Sequence, residues 1–167
     1  MNTAMQAKLK TLLAAREGHR MPLVRGVASH HGLKPGDIQP ASVYAGLVLY
    51  LGDWEAAHGA AQNIATIDGS YWHAIVHRQE PDAGNAGYWF SQVGRHPIFP
   101  GLVEDATTIL SGHPGIGVKL PANWDPAAFI DLCQAAVDKP GSELESAAIE
   151  IQHAEWKRLF DWCLISG

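Results

Sequence analysis

Residues 70–90 read SYWHAIVHRQEPDAGNAGYWF, and the way the first half is folded decides the rest. On a helix, His73, His77 and Glu80 recur at i, i+4 and i+7 and fall within roughly 60° of one another. The other faces carry Tyr71, Trp72, Ala74, Ile75 and Val76. A helix that is apolar nearly all round is a buried one. Residues 70–80 are therefore expected to lie inside a bundle, capped by Ser70 and ended by Pro81. The histidine stripe should then face an interior cleft, where buried polar groups need partners. Glu80 sits in the last turn, where the helix dipole disfavours an anion. That placement calls for a cation: Arg78, a protonated His77, an arginine from elsewhere, or a metal.

Outward from this stretch, six more helices can be placed. The first covers 2–17, with Leu9, Leu12 and Leu13 on one face and Gly18 as its stop. The second runs from Ser42 to about Asn63. Its Gly46, Gly52 and Gly59 weaken a helix, which suggests close approach of a neighbouring backbone. That neighbour could belong to the same chain or to a second copy, so a homodimer is one expectation. Further helices are expected at 85–93 (capped by Asn85, stopped by Gly94), 101–111, 126–138 after the Asp125–Pro126 start, and 142–164. The last opens on the capping box SELE, Ser142 with Glu145. Residues 19–40 and 111–124 are rich in Pro and Gly and read as loop. No stretch alternates like a strand. The expected fold is all-α, one domain over 1–167, a compact bundle of six to seven helices, several of them short.

Composition narrows the function. The chain has 167 residues and a net charge of -5, against a broad nucleic-acid face. No signal-peptide core is visible, and the longest apolar run, 41–52, is too short to span a bilayer. A soluble, cytoplasmic protein without membrane attachment is expected. Cys133 and Cys163 fall at apolar helical positions, which suits reduced, packed thiols.

The second helix carries Glu55, His58 and Gln62 on one face. A short connection to the next helix favours an antiparallel pair, which brings His58 level with His73 and His77. Three imidazoles with an open position suit zinc or another divalent transition metal. Such an ion would bind an oxygen ligand and activate water. Without a metal, one histidine can serve as acid or base near neutral pH. Arg78 would hold an anionic group of a small polar substrate, Asp82 and Asn85 would stand at the lip, and Tyr88, Trp89 and Phe90 would form an aromatic wall. A cleft with a few convergent polar groups is the usual shape of a small-molecule site.

Two alternatives stand beside this one. The His/Arg/Glu network can be structural, in a non-catalytic ligand-binding or interaction domain. The E-x-x-H motifs at Glu55–His58 and Glu150–His153 are also the signature of di-iron carboxylate oxidoreductases, although the two further long glutamate-bearing helices of that architecture are not evident. His30 and His31 lie in a Pro/Gly-rich loop and are expected to be solvated, unless that loop folds over the cleft. His96 and His113 each precede a proline, in loops that could form pocket rims.

The run H73-x3-H77-R78-x-E80-x-D82-x2-N85-x2-Y88-W89-F90, followed by VGRHPIFP at 93–100, resembles a family of bacterial and fungal proteins with a YWHxIxHRxExDxxNxxYWFxxVGxHPxF core. The likeness is strongest over 50–100, and GDWEAAHGAAQNI is similar to that family's preceding helix. The family carries no assigned activity. The resemblance implies that this segment is a hallmark, without naming a reaction.

Overall fold

The computed structural model describes residues 3–27 and 31–166. Every regular element among them is helical: α1 (Thr3–Ala14), α2 (Ala41–Tyr50), α3 (Trp54–Ala61), α4 (Ile67–Gln79), α5 (Ala83–Val93), α6 (Phe99–Ser111), α7 (Pro126–Val137) and α8 (Glu143–Ser166). A single 3-10 turn, Pro114–Ile116, interrupts the expected loop after α6. No described helix is long and apolar enough to cross a membrane.

The largest departure from the sequence reading is the helix expected over 42–63, which is two. Gly52 takes φ +85°, a left-handed conformation that ends a helix and favours glycine. Asp53 then accepts a hydrogen bond from Ala56 N at 3.0 Å and starts α3 as its cap. Two other caps also shift. Thr66, not Ser70, caps α4, through Gly69 N at 3.2 Å. Asp82, not Asn85, caps α5, accepting from Asn85 N at 3.0 Å. In each case an oxygen-bearing side chain three residues before a free N–H takes the position, and the expected cap lies inside the helix. The Asp125 cap of α7 and the Ser142–Glu145 start of α8 are as expected. Glu145, however, reaches back to Gly141 N at 2.6 Å rather than to Ser142.

The core has two apolar clusters. One gathers α2, α3, α4 and α5 around Trp72, Ile75 and Phe160. The other joins α6 and α7 through Leu102 and Phe129. The long α8 belongs to both, giving Ile151 to the second and Trp156, Leu159 and Phe160 to the first. Its Gln152 and Glu155, both fully buried, fall where the clusters meet. Helix α4 is in the middle, packed on α5, α3 and α2. Both cysteines are free and buried.

The three glycines at 46, 52 and 59 have three different reasons. Gly52 makes the break. Gly46 lies under Trp72: a Cβ there would come within 2.5 Å of the indole and 3.0 Å of Phe160. The close approach comes from side-chain rings of the same chain, not from the neighbouring backbone that was expected. At Gly59 a Cβ would meet nothing within 4 Å. Alanine should therefore act in opposite directions at two helical glycines. Gly46→Ala forces two buried rings apart and is expected to cost about 2 kcal/mol net of its helix-propensity gain. Gly59→Ala is expected to stabilise by about 0.5 kcal/mol. Urea melts of the two variants beside the parent check both signs.

Candidate functional site

Helices α3 and α4 run into each other through the short segment 62–66, and this brings His58 against the α4 stripe. His73 Nε2 lies 3.0 Å from His58 Nε2 and 3.1 Å from His77 Nε2. The ligand atoms of all three are within 4.8 Å of one another. His73 and His77, one turn apart, stack with ring centroids 4.7 Å apart, and His58 meets both edge-on. His73 and His77 are buried and His58 is half-buried, so the trio opens to the surface on the α3 side.

Aromatic rings hold the imidazoles. Trp54 stacks on His58 with an interplanar angle of 9°, and its indole N–H is anchored on Val76 O at 2.9 Å. Trp89 of α5 covers His73 at 4.1 Å between centroids. Tyr88 is exposed and touches Trp89 edge-on. The wall expected from Tyr88, Trp89 and Phe90 reduces to Trp89 at the imidazoles, since Phe90 packs edge-on against Tyr71. Sequence reasoning passed over Trp54, whose signal was its place one turn before His58.

Glu80 finds two partners. Its Oε2 lies 3.3 Å from His77 Nδ1, and its Oε1 lies 3.6 Å from Arg25. Arg25 also pairs with Glu55 and lies over the Trp54 ring at 4.3 Å. Among the partners weighed for Glu80, His77 and an arginine from elsewhere are the ones present. Arg78 is not among them. It leaves α4 on the other side, where its Nη2 donates to Glu155 at 2.5 Å and to Gln152 at 3.4 Å, and its guanidinium lies over Phe129 at 4.5 Å. Asp82 and Asn85 are bound to each other, through the α5 cap and a 2.7 Å side-chain contact. With His77 and Glu80, Asp82 still makes a second group of potential ligand atoms within 4.8 Å.

The remaining histidines are engaged elsewhere. His31 is not solvated as expected: its side chain is 7% exposed and lies 3.0 Å from Asp53, the α3 cap. His30 lies outside the described residues. His96 is buried against Asp68 at 3.0 Å, and His113 meets Glu150 at 3.3 Å. The two E-x-x-H motifs are not brought together. Glu55 pairs with Arg25 and Glu150 with His113, while His153 packs on Tyr50 and Trp156.

Burial first, then the neighbouring His77 and His58, holds the His73 pKa down to about 4. His58 is lowered too, by burial and then by His77. Both rings are therefore neutral at pH 7 and carry a free lone pair. His153 is likewise held to about 4, by burial and then by Arg20. For these groups the unfolded chain, at 6.5, binds protons first. Their contribution to stability is complete above pH 6.5 and is lost as pH falls towards 4. Metal-free protein should therefore melt at progressively lower temperature between pH 7 and 5, and His153→Gln should flatten that slope. A melting temperature that rises over this range would contradict the burial argument.

No protein-family model, curated protein or solved structure matches this chain, so the site is read from its own chemistry.

Proposed function

We propose that the protein holds one divalent transition metal, zinc by ligand type, on the Nε2 atoms of His58, His73 and His77, and uses it for hydrolysis of a small polar substrate. The observation that carries this reading is the convergence of three Nε2 atoms. Zinc binds imidazole nitrogen at about 2.0–2.1 Å, which puts tetrahedral neighbours ~3.3 Å apart. The two close separations, 3.0 and 3.1 Å, need only open slightly around an ion. Three protein ligands leave one position for an oxygen ligand, which is the pattern of catalytic rather than structural zinc. The half-buried His58 gives that position a path to solvent. Glu80, 3.3 Å from His77 Nδ1 but without hydrogen-bond geometry to it, is the carboxylate that would turn to orient a metal-bound imidazole. It also provides an acid–base group close to the ion.

The same separations support a second reading, a metal-free chain of hydrogen-bonded imidazoles that fixes α3 on α4. In either reading His73 Nδ1 is left buried without a partner. Elemental analysis of protein purified without a histidine tag distinguishes the two. About one zinc per chain is expected, retained through dialysis. Metal-free protein that also fails to take up zinc on titration would leave the imidazole chain as the reading.

A further inference from the structure

The three imidazoles are not equally secured. His73 and His77 stand one turn apart on α4 and stack on each other, with ring centroids 4.7 Å apart, so one helix fixes their spacing. His58 comes from α3, a helix of eight residues, and is the half-buried member of the trio. Among the described residues, its ring hydrogen-bonds only to His73. It therefore lacks the carboxylate or carbonyl that usually orients a metal-bound imidazole. Ordering such a side chain at the moment of binding lowers affinity, so a high-affinity centre needs another constraint on its plane.

Trp54 supplies it. It stands one turn before His58 on the same helix, and its indole lies flat on the imidazole, with 5.0 Å between centroids and 9° between planes. Its N–H donates to Val76 O of α4 at 2.9 Å, and Val76 directly precedes His77. The Arg25 guanidinium lies over the same indole at 4.3 Å, so the buried ring has little room to turn. We propose that Trp54 is the positioning residue of the metal centre: its stack sets the plane of His58, and its N–H bond sets the height of α3 against the helix that carries the other two ligands. This role rests on the zinc reading above. Electronics act in the same direction. A metal-bound imidazole is electron-poor and the face of an indole is electron-rich, so the stack favours the bound state as well as the aim of the ring.

Zinc affinity of the full-length protein, measured by competition with a colorimetric chelator beside melts of the zinc-free forms, tests this. Trp54→Met fills much of the space without a flat face or an N–H donor. It should bind zinc about tenfold more weakly at unchanged stoichiometry. Trp54→Phe keeps a ring face but loses the anchor on Val76, and should fall between, about threefold weaker than the parent. Trp124→Met is the control for mere packing. Trp124 and Trp54 are both 8% exposed, but Trp124 packs in the α6–α7 cluster. Its loss should lower the melting temperature and leave zinc affinity unchanged. An equal loss of zinc affinity in both methionine variants would mean general loosening and would overturn the role of Trp54. Parent affinity in either Trp54 variant overturns it too, and Trp54→Phe decides alone if the methionine variant does not fold. A parent protein that takes up no zinc overturns the metal reading and this role with it, a result distinct from the others.

Discussion

Glu155→Ala is expected to destabilise the protein by about 3–5 kcal/mol, a large share of the stability of a chain this size. Glu155 is 0% exposed and Arg78 is 5% exposed. Burial alone would lower the Arg78 pKa, but the Glu155 carboxylate outweighs it and the net shift is upward. A guanidinium is not deprotonated in a protein, so it stays charged when Glu155 is removed. Removing Glu155 leaves that charge buried beside Gln152 and Tyr71, neither of which can neutralise it. The Tyr71 hydroxyl, which donates to Glu155 at 3.1 Å, also loses its acceptor. Removing both charges is a different experiment. Arg78→Met with Glu155→Leu should recover most of the loss, because the desolvation cost of the pair disappears with it. Urea melts of the single and double variants read both effects. A Glu155→Ala variant within about 1 kcal/mol of the parent would mean that water reaches the pair.

The second large effect concerns the histidines. Zinc at a hundred times its dissociation constant adds about 2.7 kcal/mol to the folded state, which is roughly 5–10 °C in melting temperature at this length. His73→Ala should remove that gain entirely, because His73 is the member of the trio within 3.1 Å of both others. Glu80→Gln keeps the three ligands and removes the carboxylate charge beside His77 and Arg25, so affinity should fall by about 10–100-fold without loss of stoichiometry. Competition titrations with a chromophoric chelator measure each. Unchanged zinc stabilisation in His73→Ala would remove the proposed metal centre.

The all-helical fold and the meeting of positions 58, 73 and 77 were legible from spacing, since helical periodicity and a short connection are local properties. What spacing could not reach was direction. His77 and Arg78 are neighbours on one helix, and nothing local says that one faces α3 and the other α8. The buried partners Gln152 and Glu155 lie more than seventy positions away from Arg78. Their only trace in the sequence is a pair of polar residues, three apart, on an otherwise apolar face of the last helix. The break at Gly52–Asp53 was also written in the residues: a glycine stop followed by an aspartate cap is a helix boundary. It was hidden by the apolar run on one side and the His58 periodicity on the other.

The adjacency of His77 and Arg78 has a mechanical consequence. A slip of one residue turns a helix by about 100°. Such a slip in α4 would swing both imidazoles away from His58 and draw the guanidinium off its carboxylate. The buried ion pair thus works as a key that admits only one rotational setting of this helix, and the aim of the histidines is held from the opposite side of the molecule.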